Sequence, residues 1–276
     1  MPTLEETFVD TDHAQLLVIP VARASVAMQV TTPLSLGNRS VTIPRITDDP
    51  DTDWVDEDEE IPESDMAADE VAITPKKVAG LTRVSNESVD DTNPQVTGLI
   101  GAGLTRDISR KIDAAFFGAA PAAGAKRPGG LEALGAGTTV AADPTMSIDP
   151  YVDAIAAADA AGATLRAFVT TPEVAKALAK IKQGTGSNLP LFGTGATNGI
   201  QRNVLGVPLL VSPYVLAGTV WGLPGANVYT AVRKNVTVDF DKSRWFEFDQ
   251  TGIRAIMRVG FGAATTAGLI KIKAGA

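Results

Sequence analysis

Apolar and polar positions alternate in three distinct ways along this chain. From residue 94 to residue 117, Val96, Leu99, Ile100, Leu104, Ile108, Ile112, Ala115 and Phe116 recur at three- and four-residue steps. That spacing predicts one long amphipathic helix. Asn93 and Pro94 supply a cap and a first-turn proline, and Gly118 a stop. Arg106, Asp107, Arg110, Lys111 and Asp113 are placed on the opposite, polar face. Gly98, Gly101 and Gly103 weaken the first half, which is expected to bend, fray or meet another backbone closely.

Shorter elements surround this helix. Val41–Ile46, Val71–Thr74 and Lys77–Ser85 read as strands, the first two enclosing a long polar excursion as an extended hairpin. Asp149-Pro150 opens a second helix ending near Gly162, and Thr171-Pro172 opens a third running to about Gln183. Strands are predicted at 165–170, 208–212, 219–222, 227–232, 235–240, 244–249, 252–259 and 264–272. Residues 118–147 and the Gly-rich stretch 184–199 read as loops, and residues 1–40 as an extended arm with one or two short strands or helical turns. The order of elements is α+β.

Charge sharpens this picture. The net charge is −8, yet residues 48–70 alone hold thirteen acids and no Lys or Arg. The remaining 253 residues hold 19 acids against 24 Lys and Arg, a net of +5. A mildly basic body therefore carries one acidic hairpin loop. Trp54 lies within that loop, near Val55 and Ile61, where a solvated indole would waste apolar area. The loop is expected to pack against something. Lys76, Lys77 and Arg83 form a strip suited to an acidic partner, in preference to a merely solvated strand face.

Composition excludes most chemistry. Cysteine is absent, which removes disulfides, thiol catalysis and Cys-ligated metals. The single His13 argues against triads and His-metal sites. The acidic run lacks the central Gly of a calcium loop, there being no Gly between 38 and 79. Gly101-Ala102-Gly103 sits inside a predicted helix rather than after a strand, so it is no dinucleotide loop. No cofactor, metal or catalytic residue is expected, and no enzyme. The longest apolar runs are too short to span a bilayer, so no membrane partner is expected and cytosolic synthesis is the default.

Several segments, taken in order, resemble the major capsid proteins of tailed bacteriophages. They are Ile43-Pro44-Arg45, Trp54-Val55-Asp56-Glu57, Ile61, Pro75-Lys76-Lys77-Val78-Ala79, Val84-Ser85-Asn86-Glu87 and Asp90-Asp91. The helix ending Ile112-Asp113-Ala114-Ala115-Phe116-Phe117-Gly118 resembles that family's spine helix. Phe168-Val169-Thr170-Thr171-Pro172 and Leu205-Gly206-Val207-Pro208-Leu209-Leu210-Val211-Ser212-Pro213 resemble its axial domain.

The resemblance implies the fold of that family. Residues 1–40 would be the N-arm and 41–78 the extended E-loop. Residues 79–144 and 233–276 would form a peripheral domain containing the spine helix at 93–118, and 145–232 the axial domain. It implies hexamers and pentamers in an icosahedral virion shell, assembled in the bacterial host cytoplasm and enclosing double-stranded DNA without sequence-specific binding. The E-loop residues Trp54, Val55, Asp56, Glu57, Asp58, Glu59 and Ile61 would touch a neighbouring subunit. Lys76, Lys77, Arg83, Arg106, Arg110 and Lys111 are the candidates to receive them. The arm begins close to Met1, so scaffolding is expected to come from a separate chain or not to be needed; a portal is a further partner. No Lys or Arg lies between Arg45 and Lys76, so a lysine crosslink from the loop is not available. Stability must rest on noncovalent contacts or on a decoration protein. The alternatives are an encapsulin-type compartment with the same fold and, further off, a monomeric acidic-loop binding module.

Overall fold

The computed structural model describes residues 25–48, 50–57, 60, 63, 65–87, 95–184, 191 and 202–275. In chain order the elements are α1 (Val26–Val30), β1 (Thr32–Ser35), β2 (Val41–Asp48), β3 (Ala67–Ile73), β4 (Lys76–Ser85) and α2 (Gln95–Phe117). Then come α3 (Leu131–Leu134), β5 (Thr138–Ala141), α4 (Asp149–Ala160), β6 (Leu165–Thr170), α5 (Pro172–Lys180) and β7 (Asn203–Val204). The chain ends with β8 (Val207–Val211), β9 (Thr219–Pro224), β10 (Val228–Asp241), β11 (Gln250–Ala263) and β12 (Ile270–Lys273). The architecture is α+β.

A four-stranded sheet has the order β1-β10-β11-β4, and a six-stranded sheet the order β5-β12-β9-β6-β8-β7. β2 and β3 pair only with each other, as an antiparallel arm. Strand alternation divides the six-stranded sheet between two cores. Ala167, Val169, Trp221 and Leu223 face the first core, and Phe168, Val220, Ile270 and Ile272 the second. Both faces are thus covered, and every residue of β9 is buried.

The first core also holds Ile108, Ile112, Phe116 and Phe117 of α2, with Ala255, Met257, Val259 and Phe261 of β11. The Phe116 ring lies 4.9 Å from Phe117 and 4.8 Å from Phe261. One apolar interior therefore joins the long helix to both sheets. The second core packs Tyr151, Ala154 and Ala158 of α4 and Val174 and Leu178 of α5 on the far face. The Thr171 hydroxyl caps α5 by accepting from the Val174 amide, and Pro172 occupies the first turn.

The long helix forms where its periodicity predicts, 23 residues spanning about 35 Å. Its cap candidates Asn93 and Pro94 lie outside the described residues. It runs as one α-helix through its glycines, and a Cβ on Gly101 or Gly103 would meet nothing within 4 Å. Of the bending, fraying or close approach expected there, no close approach occurs at these two glycines. β10 is one strand of 14 residues, where two had been expected; register irregularities near Lys234 produced the apparent gap. Residues 244–249, read as a strand, instead form a turn with a short 3₁₀ helix, Phe246–Phe248, and Asp249 adopts a left-handed φ of 49°. The last strand is shorter than expected, beginning only at Ile270. The Gly-rich stretch 184–199 falls almost wholly outside the described residues, as do His13 and the rest of residues 1–24.

Asp113 overturns its placement on the polar face, being only 5% exposed. Its carboxylate accepts from the Ser25 hydroxyl at 2.7 Å, the Ala27 amide at 3.0 Å and the Val26 amide at 3.2 Å. It satisfies the free donors at the start of α1 and ties the incoming chain to the long helix. Burial pushes its pKa above the ordinary carboxylate range, against the opposing pull of those three hydrogen bonds.

Asp113→Ala leaves those donors unsatisfied and is expected to lower the stability of the unassembled subunit by about 1–3 kcal/mol in chemical unfolding. The raised folded-state pKa also sets a sign. The group's stabilising contribution is fully present below its unfolded value of 3.8 and is lost as pH rises through the higher folded value. The stability difference between wild type and Asp113→Asn should therefore grow as pH falls from neutral toward about 4. A difference that shrinks over that range would contradict the assignment.

Candidate functional site

The chemistry of this chain lies in its surfaces. Among the described residues, no group of three or more His, Asp or Glu side chains is arranged to hold a metal ion. None of its described helices is long and apolar enough to cross a membrane. Three exposed features stand out.

The first is the β2–β3 arm. Its register runs from Val41 opposite Ile73 to Arg45 opposite Asp69. Arg45 and Asp69 form a cross-strand ion pair at 2.7 Å. The Asp69 carboxyl is held below the usual range, first by the Glu70 amide and then by Arg45. Both side chains are substantially exposed, so the pair fixes register more than it adds stability. The root of the arm is pinned by Ile73, only 2% exposed. Its side chain fills the space above Gly262 of β11, where a Cβ would collide with it, and together with Pro75 it packs tightly over Gly260. The two glycines let the arm seat on the sheet.

Beyond the strands the acidic loop extends from this anchored root. The Trp54 side chain is 100% exposed, and Val55, Asp56 and Glu57 are exposed beside it. The Asp53 carboxylate accepts from the Trp54 amide at 2.9 Å, a local turn contact. Asp58, Glu59 and Ile61 lie outside the described residues.

The second feature is a groove of about 480 Å³ between α2 and β4. Its floor is apolar, formed by Val78, Leu104, Ile108, Ile112 and Ala115. Lys76, Lys111, Lys126 and Arg127 stand around it, with Asp107 the single acid among the lining residues. Lys77 also lines it, but on β4 it has the parity of exposed Leu81 and pairs with Arg258, so its side chain belongs to the other face of the sheet. Two of the six basic candidates read from the sequence, Lys76 and Lys111, thus come together here. Arg83 does not line the groove. It lies on β4 with the parity of exposed Leu81, on the side of the four-stranded sheet that also carries Arg254 and Arg258. Arg106 and Arg110 are exposed on α2 but do not line the groove either. Lys126 and Arg127 come from the Gly/Ala/Pro-rich stretch read simply as loop, and their convergence on the groove had no sequence signal.

The third feature is the end of the β10–β11 hairpin, also missed. Phe240, Phe246 and Phe248 are 60%, 84% and 67% exposed. Trp245 lies over Gly252, with the Arg244 guanidinium 5.1 Å from its ring centroid. The Asp241 carboxylate accepts from the Ser243 amide and hydroxyl at 2.9 and 2.6 Å and closes the turn. The break read at 241–243 between two expected strands does fall at this turn; the aromatic residues that follow it were read as a strand and instead form the exposed tip.

An arm pinned at its root, an acidic loop with a bare Trp, a basic groove and an aromatic tip are the exposed features of this fold, and no catalytic constellation is found among the described residues. Residues 7–274 match the model of the phage capsid family. This chain belongs to the phage capsid family. It is a structural protein of a capsid shell. No curated protein matches it in sequence. Among solved structures it is similar to a protein of Microbacterium phage Oxtober96, with 16% identity and a TM-score of 0.74 over 91% of both chains. It is equally similar, at 19% identity and a TM-score of 0.74, to the capsid of the native GTA particle computed with C5 symmetry, covering 100% of this chain and 95% of that one. A protein of Mycobacterium phage Bobi gives 18% identity and a TM-score of 0.72 over 100% and 95% of the two chains. At such identities the likeness is one of fold.

Substituting Gly262 by Val would force Ile73 off β11. The expected cost is about 1–3 kcal/mol, with faster proteolytic cleavage at the root of the arm. Unchanged protease resistance would show that the root is held by other contacts.

Proposed function

We propose that this capsid protein forms the hexamers and pentamers of an icosahedral shell around a double-stranded DNA genome, and that each acidic loop docks on a neighbouring subunit. The observation that carries the docking is Trp54. A fully exposed Trp, flanked by acids in an arm whose root is fixed by Ile73, has its apolar area covered by nothing among the described residues of its own subunit. Burial against a neighbour removes that area from water and brings the acids to a basic body. Each contact is modest, and a closed shell repeats it around every capsomer, so avidity supplies the stability. The exposed aromatics at the β10–β11 tip fit the same scheme as a second contact between subunits. The C5 symmetry used for the similar GTA capsid supports pentamers here. A separate scaffolding protein and a portal complete the assembly, which takes place in the cytoplasm of a bacterial host. The interior holds DNA without reading its sequence.

Trp54→Ala is expected to leave the unassembled subunit folded while sharply lowering particle yield, since losing an aromatic anchor costs about 2 kcal/mol or more per interface. Electron microscopy and light scattering read the result, and normal yield would refute loop docking. Neutralising Asp56, Glu57, Asp58 and Glu59 together should flatten the salt dependence of assembly, because exposed charge attraction is screened by salt. An unaltered salt profile would mean that these acids are simply solvated. Nucleic acid extracted from purified particles tests the genome reading; a protein cargo in its place would point to a compartment of the encapsulin type.

A further inference from the structure

We propose that the exposed stripe of α2, with the loop cations at its C-terminal end, is a surface for the phosphates of double-stranded DNA. The inference rests on the genome reading above and adds the residues that meet the genome.

Between residues 101 and 113 of α2, the exposed side chains are Ala102, Arg106, Asp107, Arg110 and Lys111. They recur at three- and four-residue steps, so they share one side of the helix. Lys126 and Arg127 extend the charge beyond it. The Arg127 guanidinium donates to the Ala119 carbonyl at 3.0 Å, which holds these two cations near the end of α2. From Arg106 to Phe117 the helix rises about 16 Å, the axial length of about five base pairs. Among the described residues, Arg106, Arg110, Lys111 and Lys126 enter no salt bridge. Unpaired cations gathered around the single Asp107 attract an anionic partner.

The stripe also says what kind of anion fits. Its largest apolar side chain is that of Ala102. An acidic protein segment draws most of its affinity from buried apolar anchors, and the stripe has no bed for one. A nucleic-acid backbone needs none. Its phosphates are held by exposed Arg and Lys, with no reading of bases.

The acidic arm is rooted on the other side of the four-stranded sheet. In β11, Val259 and Phe261 point into the first core with α2. Gly260 and Gly262 have the opposite parity, and Ile73 of the arm packs over them. A polyanion on the stripe therefore lies across the sheet from the root of the arm that carries the acids.

The test uses the full-length, unassembled subunit and a fluorescent duplex of about 30 base pairs, with binding read by anisotropy over a salt series. Arg106→Gln/Arg110→Gln/Lys111→Gln/Lys126→Gln removes stripe charges only. Lys77→Gln/Arg83→Gln/Arg254→Gln/Arg258→Gln removes as many from the opposite face of the sheet and is the charge-matched comparison. The stripe variant is expected to bind at least about tenfold more weakly, and its plot of log affinity against log salt to lose about 0.9 of slope for each phosphate contact removed. The comparison variant should stay within about threefold of wild type. Equal losses in both would mean that net charge alone drives binding, and would overturn the stripe. Wild type that shows no salt-dependent binding would overturn it as well. Poly-glutamate that displaces the duplex at equal charge concentration would assign the stripe to an acidic protein instead. Circular dichroism checks folding, and Arg106→Gln/Arg110→Gln carries the test if the fourfold variant does not fold. The genome reading is scored separately, by whether purified particles yield DNA or a protein cargo.

Discussion

The burial of one face of α2 between two sheets is the constraint from which the other features follow. Ile108, Ile112, Phe116 and Phe117 reach into a single apolar interior shared by β11 and by Trp221 and Leu223 of the six-stranded sheet. Close packing there fixes the long helix relative to both sheets, because interiors of native density allow little sliding. The helix then serves as a ruler. Its buried Asp113 holds the start of α1, and its exposed side meets β4 to make the basic groove.

A second constraint concerns the arm. A two-stranded hairpin has too little core to be stable alone. This one is held at its root, where Ile73 occupies the space that Gly260 and Gly262 leave open on β11. The remainder projects with its Trp and acids exposed. The structure thus divides into a packed body and a projecting element whose Trp is exposed in the single subunit. The aromatic tip of the β10–β11 hairpin has the same character, with three Phe side chains exposed on a turn closed by Asp241 and Ser243.

Charge is distributed in keeping with that division. The acids concentrate in the loop, while Lys76, Lys111, Lys126 and Arg127 line the groove from three separate stretches of chain.

Much of this was legible from local pattern. The 3.6-residue period marked α2, the cap-plus-Pro signals marked α4 and α5, and strand alternation marked β6, β8 and β9 within a few residues. The acid count alone isolated the loop. These features depend on neighbours in sequence, and neighbours in sequence are what periodicity reports. Asp113 was assigned to solvent because helix position suggested it; only the approach of Ser25 and Ala27 from 86 to 88 residues away gives its charge a buried role. The glycines of β11 carry no mark of the Ile73 that covers them. Lys126 and Arg127 join Lys76 and Lys111 only through the folded path of the chain. Local sequence marked the main helices and most strands, the acidic loop and the basic balance of the body. Tertiary structure alone decided which cations converge, which carboxylate is buried and which aromatics stay exposed, because those outcomes depend on contacts between residues far apart in the chain.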